Sequence, residues 1–298
     1  MREVRLAAPL AIVDAPLQQP GPGQVLIRNR HLALRAAMGL LMTGRDDLPM
    51  PAYRHGEVMW GPAVGEVVAG DLPPGTLVAH HLGWREYALL DATAVTPISG
   101  DPLAHLAQAE TAYVGLVAAA ELREGDTVLV SSAAGSIGTM AGQIARLKGA
   151  KRVIGSVGSP AKAAWLVDEL GFDAAYDYHE EAVEEGIDVY FDSVGGTQLA
   201  TAVEVANPGA RFALCGALSG QTVALDTMTV IGRRISLRGF TAADHPGVVA
   251  RAREEIVAWR REGLLAVPVT RYDGLDQAPG ALADLLAGRL TGTVIVDL

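Results

Sequence analysis

The sequence predicts an α/β protein of two parts: a wound parallel sheet over the middle of the chain and a smaller β-rich part ahead of it. Three observations carry this. From about Asp101 onward, strand-like apolar runs alternate with segments of helical periodicity, the signature of βαβ units and a parallel sheet. Before that point the apolar runs are short and broken by Pro and Gly, as in a small barrel or sandwich. A length of 298 residues, 50% of them apolar and 19% charged, suits a globular chain of two domains.

In the first hundred residues, strands are expected at 24–29 after Pro20-Gly21-Pro22-Gly23, at 63–68 ahead of Pro73-Pro74-Gly75, and at 76–79 just beyond it. The pattern then changes. Residues 127–132 read as a strand, and Ile137, Met140, Ala141, Ile144 and Leu147 recur at helical spacing. Next come a strand at 152–155, a helix at 161–170 and a strand at 188–192. A helix at 197–205 and a strand at 211–215 follow, and a long helix at 248–261 closes the region. Residues 281–287 and 293–298 read as one more helix and strand. No internal repeat or low-complexity stretch interrupts the pattern.

Composition narrows the function. A net charge of -10 argues against a nucleic-acid partner, which needs a basic face to displace counterions. No run of 18 apolar residues suggests a membrane span, and the first residues, Met1-Arg2-Glu3-Val4, do not resemble a signal peptide. A single cysteine, Cys215, leaves no intramolecular disulfide and no multi-cysteine zinc site. The expectation is a cytoplasmic protein acting on a small molecule.

The turn Ala133-Ala134-Gly135-Ser136-Ile137-Gly138 lies between a predicted strand and a predicted helix. Gly135 lets backbone approach a pyrophosphate, Gly138 lets the helix sit close to the strand, and the helix start offers N–H groups and a positive dipole end. A glycine turn alone can be a plain βα connection. Here strand, turn, helix and next strand are all in place, so the turn reads as a dinucleotide site.

The end of the second strand then discriminates between cofactors. An NAD site usually carries Asp or Glu about 20 residues after the turn, to hold the ribose hydroxyls. This chain has Gly155-Ser156-Val157-Gly158-Ser159-Pro160-Ala161-Lys162 instead. Ser156 and Ser159 can donate to a 2′-phosphate, and Lys162 can offer an ammonium. A cation in the first turn of a helix is unfavourable unless an anion lies there. NADP(H) is the expected cofactor.

Several further segments accompany the turn: Gly56-Glu57-Val58-Met59, Gly83-Trp84-Arg85-Glu86-Tyr87, Thr111-Ala112-Tyr113-Val114-Gly115, the 189–196 stretch, Cys215-Gly216-Ala217-Leu218-Ser219 and Gly239-Phe240. With these the chain resembles the zinc-independent medium-chain dehydrogenase/reductase superfamily, and within it the prostaglandin reductase and alkenal double-bond reductase family. The resemblance implies a GroES-like β-barrel domain at 1–97 and 264–298, and a doubly wound Rossmann domain at 98–263. It implies nicotinamide between the two, no metal, and a homodimer formed through the Rossmann sheets.

The resemblance places Gly135, Ser136, Ile137 and Gly138 on the pyrophosphate, and Lys162 and Tyr178 at the adenosine phosphate. It runs Cys215 to Ser219, Phe240, Thr241 and Ala242 past the ribose and nicotinamide. Ser193 and Leu290 stand where the family has Asn, and each removes a polar anchor worth about 1 kcal/mol net.

The substrate side departs more. Residues 35–39, Arg35-Ala36-Ala37-Met38-Gly39, replace the family's Asp-Pro-Tyr-Met-Arg, and His245 replaces a tyrosine near the nicotinamide. His55 stands for an aliphatic residue and Trp60 for an arginine, and the stretch ending at Glu110 also differs.

The family reaction passes a hydride to the β-carbon of an enone or enal, and the developing enolate oxygen needs a hydrogen-bond donor. Donor candidates are His245, Tyr113 and His55. His245 also reads as a surface histidine, and Tyr113 as a core aromatic. Arg35 and Glu110 are expected to pair with each other or to bind a polar substrate, with a solvated helix face as the plainer reading of Glu110. His80 and His81, adjacent in a strand, point to opposite faces and are not expected to share a metal. The expected activity is NADPH-dependent reduction of an activated C=C bond. The alternatives are a quinone or ketone reductase on the same scaffold, or an NADP-binding protein without reductase activity.

Overall fold

Short strands between Pro–Gly turns pair antiparallel in the first of two units, Met1–Ala107 with Val269–Leu298. The computed structural model describes residues 1–45, 50–180, 183 and 186–298. Strands β1 (Arg2–Arg5) and β2 (Ala11–Asp14) form one antiparallel pair. Strand β3 (Gln24–Leu34) is followed by the short helix α1 (Ala37–Leu41), then by β4 (Ala63–Gly70), β5 (Leu77–His80), β6 (Tyr87–Asp91) and β7 (Thr96–Pro97). One edge of β3 pairs with β6, and the other with β4.

Strand β3 contributes to two apolar cores. Val25 and Ile27 pack with Val67, Val78 and Ala88, whereas Leu32 and Leu34 pack with Met38, Met59 and Trp84. The register of β3 against β4 shifts between Asn29 and His31. Asn29 is buried at this shift, and its amide donates to the carbonyls of Leu82 and Arg85 at 2.9 and 2.8 Å.

The second unit, Gln108–Pro268, is the wound sheet. Helix α2 (Ala109–Val114) runs into a widened π-type turn at Gly115–Ala119. Then come β8 (Thr127–Val130), α3 (Ser136–Leu147), β9 (Arg152–Val157), α4 (Pro160–Leu170) and β10 (Ala174–Asp177). The second half holds β11 (Ile187–Asp192), α5 (Gly196–Val205), β12 (Ala206–Leu214), α6 (Thr227–Arg233), β13 (Ser236–Gly239) and α7 (Pro246–Arg261). The six strands lie in the order β10-β9-β8-β11-β12-β13, all parallel.

Numbered within the unit, that order is 3-2-1-4-5-6, so the direction of winding reverses between β8 and β11. Val128, Leu129 and Val130 are all buried, as are Val189, Tyr190 and Phe191. Continuous apolar runs are what a parallel sheet covered on both faces requires. The sequence expectation of an α/β doubly wound sheet holds.

The chain then returns to the first unit through β14 (Val269–Asp273), α8 (Ala278–Leu286) and β15 (Thr293–Asp297). β15 pairs antiparallel with β3, setting Val294 opposite Leu34 and Asp297 opposite His31, and parallel with β14. The boundaries fall at 107/108 and 268/269 rather than 97/98 and 263/264. Ile98 and Leu103 pack on the core of Ala33, Val64, Leu106 and Ile295, which holds this stretch to the first unit. Gln143 of α3 both donates to and accepts from the backbone of Ala266, at 3.1 and 2.8 Å, which holds 264–268 to the second.

Candidate active site

Parallel strands put their C-terminal ends on one edge of a sheet, and here the expected cofactor residues follow those ends. The turn 131–135 follows β8, Gly158–Lys162 follow β9, Tyr178 follows β10, and Ser193 follows β11. Cys215–Ser219 follow β12, and Phe240–Ala242 follow β13. Ligands of open α/β sheets bind along this edge, at the reversal point.

The glycine turn is built tightly. Ser132 takes a left-handed conformation, with φ 47°, and the Ala133 N–H donates to Ser156 O at 3.0 Å, tying the turn to β9. A Cβ on Gly138 would lie 2.4 Å from Ser132 O and 2.6 Å from Ala133 Cα, so only glycine lets α3 start this close to the strand. Gly135 precedes α3 in extended conformation, and no side chain caps the helix start. Its first N–H groups therefore present a positive end to an anion.

Asp192, at the end of β11, organises the reversal point. Its buried carboxylate accepts from the Ser131 hydroxyl at 2.8 Å, from the Tyr190 hydroxyl at 3.1 Å, and from the N–H groups of Val194 and Gly195 at 2.9 and 3.0 Å. The Ser193 N–H in turn donates to Ser131 Oγ at 2.9 Å. Ser193 Oγ itself is buried and has no partner. A buried hydroxyl without a partner, just past the C-terminal end of a strand, is the kind of group a bound ligand satisfies. The loop after β12 is fastened to the same place. A Cβ on Gly216 would lie 2.7 Å from Ser193 O, and the Leu218 N–H donates to that oxygen at 3.2 Å. Ala217, Leu218 and Ser219 are exposed along it.

Cys215 is inward instead. Its thiol donates to Asp192 O at 3.3 Å, and burial raises its pKa to about 12. Phe240 packs its ring edge-on against Phe191, with centroids 6.3 Å apart, beside Gly115. Thr241 donates its hydroxyl to Asp244 at 2.8 Å, and Ala242 begins the short turn ahead of α7.

At the other end of the edge, Ser159 caps α4, its hydroxyl oxygen accepting from the Lys162 N–H at 3.4 Å. Lys162 is half-buried, and desolvation lowers its pKa from the ordinary lysine value. An anion beside it would favour the charged form. The exposed Tyr178 flanks this turn: a Cβ on Gly158 would lie 3.3 Å from its hydroxyl. Ser156 differs from expectation. It is buried and donates to Gln198 Oε1 at 2.7 Å, so its hydroxyl is committed within the protein and not offered to a phosphate.

The substrate-side candidates separate. Tyr113 is fully buried among α2, α3 and α7, its ring 6.2 Å from that of Trp259 and its hydroxyl 3.5 Å from Lys148 Nζ. It is a packing residue, and a catalytic role for it is withdrawn. Glu110 pairs with Arg253, not Arg35: Nε and Nη2 of Arg253 reach its two oxygens at 2.7 and 3.2 Å. Arg35 belongs to the first unit, where its guanidinium donates to the Leu106 carbonyl and desolvation lowers its pKa to about 10.

Trp60 is half-buried against Tyr53, ring centroids 5.1 Å apart, and His55 is exposed nearby in sequence. Leu290 packs on the apolar core of that unit. His245 is half-buried at the head of α7, where its carbonyl accepts the N–H groups of Val248 and Val249. An open groove of about 360 Å³ lies beside it, lined by Glu110, Ala242, Ala243, Pro246, Val249, Ala250 and Arg253.

His80 and His81 take opposite faces, His80 buried and His81 exposed. His80 Nδ1 accepts from the Leu82 N–H at 3.0 Å, and burial lowers its pKa to about 4. Among the described residues, no three His, Cys, Asp or Glu side chains are grouped to hold a metal.

Asp192, Gln198 and Arg253 were missed by sequence reasoning. The Asp192-Ser193-Val194-Gly195 stretch does carry a turn signal for an Asp that bonds backbone two residues on. Nothing local marks Arg253, whose partner lies 143 residues away.

A parallel sheet of this order, with a glycine turn at the start of α3, is the architecture of dinucleotide-binding proteins. Residues 136–258 match the profile described as zinc-binding dehydrogenase, and residues 5–98 that of the N-terminal domain of oxidoreductase. The NADPH-dependent curcumin reductase of Escherichia coli is 31% identical, over 93% of this chain and 88% of its own. The NADP(+)-dependent 2-alkenal reductase of Nicotiana tabacum is 29% identical over 93% of this chain and 88% of its own. The crystal structure of CurA from Vibrio vulnificus in complex with NADPH superposes with a TM-score of 0.90 at 28% identity, covering 100% of this chain and 99% of that one. The chain belongs to the medium-chain dehydrogenase/reductase superfamily, among its NADPH-dependent oxidoreductases. The zinc in that family's description finds no matching donor set among the described residues.

Proposed function

We propose that this enzyme reduces the activated carbon–carbon double bond of an α,β-unsaturated carbonyl compound with NADPH, without a metal. The observation that carries the reading is the joint presence, on one sheet edge, of the glycine turn, the unpartnered Ser193 hydroxyl and the Ser159–Lys162–Tyr178 corner. The relatives' named activities supply the substrate class, since a 2-alkenal is an α,β-unsaturated aldehyde.

In this account the start of α3, with Gly135, Ser136, Ile137 and Gly138, receives the pyrophosphate. Ser159, Lys162 and Tyr178 receive the adenosine phosphate. The loops Cys215–Ser219 and Phe240–Ala242 position the ribose and nicotinamide, and Ser193 Oγ bonds to the same end. NADPH, when bound, supplies a hydride to the β-carbon. With Tyr113 withdrawn, His245 is the donor we assign to the developing enolate oxygen. The antiparallel unit is read as the GroES-like barrel, with Arg35, His55 and Trp60 as its pocket residues.

We also infer a cytoplasmic homodimer. No helix among the described residues is long and apolar enough to cross a membrane. Among the described residues β13 is a sheet edge, paired with β12 alone, and Met228 and Ile231 of the preceding helix α6 stand 71% and 67% exposed. An open strand edge and exposed apolar residues suit pairing with a second copy.

Following NADPH consumption with an enal, a quinone and a ketone tests the reading. Oxidation with the enal supports it. Activity confined to the quinone or the ketone transfers the assignment to that class, and tight NADPH binding without oxidation makes the chain a binding protein.

A further inference from the structure

The open groove beside His245 has a direction. Pro246, Val249, Ala250 and Arg253 recur at three- and four-residue spacing, so they share one face of α7. Ala242 and Ala243 lie just ahead of that helix, and Glu110 meets Arg253 from α2. At 1.5 Å rise per residue, the helical part of the groove spans about 10 Å. Ala242 belongs both to the groove and to the edge assigned to the nicotinamide. The groove therefore starts where the reaction is placed and ends on an ion pair.

We propose that this groove seats the tail of the substrate, and that the Glu110–Arg253 pair selects a neutral hydrogen-bonding terminus on that tail. The proposal rests on the enone-reductase reading and specifies its substrate class: a medium-length alkyl or aryl-alkyl enal or enone ending in a hydroxyl, phenol or amide.

Two features of the groove's chemistry carry this. Ala242, Ala243, Pro246, Val249 and Ala250 present no polar side-chain atom, so they reward contact with methylenes or an aryl ring. At the far end, both carboxylate oxygens of Glu110 are already engaged by Arg253, at 2.7 and 3.2 Å, and the two charges cancel. An anionic tail would have to compete with Glu110 for the guanidinium, and a cationic tail with Arg253 for the carboxylate. A hydroxyl or amide displaces neither charge. It accepts from a remaining guanidinium N–H and donates to a remaining carboxylate lone pair.

The test is a binding measurement, independent of turnover. Calorimetric titration of the NADP⁺-loaded protein compares propanal with saturated long-chain aldehydes ending in methyl, hydroxyl or carboxylate. For wild type we expect the hydroxyl-ended chain to bind most tightly and the carboxylate-ended chain most weakly. Glu110→Gln leaves the Arg253 charge unopposed, and the carboxylate-ended chain should gain about tenfold, the lower end for one charged hydrogen bond. Val249→Trp should weaken binding more as the chain lengthens. Preferential binding of the carboxylate-ended chain by wild type, an order unchanged by Glu110→Gln, or a Val249→Trp effect equal for propanal and the long chains overturns the proposal. Reduction of but-3-en-2-one by the wild-type enzyme reports separately on the underlying reading.

Discussion

Lys162 lies half-buried in the first turn of α4, where desolvation and the positive end of the helix both work against its charge. A 2′-phosphate between Lys162 and the helix start removes both penalties. Lys162→Ala is therefore predicted to weaken NADPH binding by roughly 1.5–3 kcal/mol, the range for a lost charged hydrogen bond, with NADH affinity little changed. Titrating both cofactors measures this, and an equal loss for both would refute the assignment of Lys162 to the phosphate. The other residue-scale claim concerns His245. His245→Phe keeps the bulk at the head of α7 but removes the donor, so turnover should fall, by about 10²–10³ for one lost donor to a developing oxyanion, while NADPH affinity stays the same. Unchanged turnover would remove His245 from the chemistry.

At the scale of elements, the βα unit β8–α3 depends on the missing side chain at Gly138. A methyl there meets backbone atoms of Ser132 and Ala133, which cannot swing aside as a flexible side chain would. Gly138→Ala should cost about 1–3 kcal/mol of stability, as overpacking does, and weaken NADPH binding by displacing the helix start. Thermal melting and cofactor titration check the two effects, and a variant that keeps both values contradicts the account.

This unit was the most legible part of the sequence, because a glycine turn between a strand and an amphipathic helix leaves a local signature. The strands 127–132, 152–155 and 188–192 were readable for a similar reason: buried parallel strands are continuous apolar runs. Other elements left little trace. β13 is Ser236–Gly239, short, exposed and without alternation, and α6 carries its apolar Met228 and Ile231 outward. The site followed the same rule. Gly135 and Lys162 were visible through local chemistry, whereas the burial of Tyr113, the bond from Ser156 to Gln198 and the Glu110–Arg253 pair arise from tertiary packing. Spacing along the chain cannot show these.

For the whole molecule, the first and last stretches of the chain belong together, since β15 completes the sheet begun by β3. The open side of β13 is the feature that points to a second copy. Ile231→Lys places a charge on the exposed face of α6, and it should shift the protein toward monomer in light scattering at fixed concentration. A wild type that is monomeric across the accessible concentration range would overturn the dimer.

The central claim, that the enzyme delivers hydride to carbon of a conjugated double bond, is tested most directly by the product. Incubation of but-3-en-2-one with NADPH deuterated at its transferable position should give butan-2-one carrying the deuterium on the former β-carbon, one per NADP⁺ formed. But-3-en-2-ol with deuterium on the carbinol carbon would show attack at the carbonyl and contradict the account.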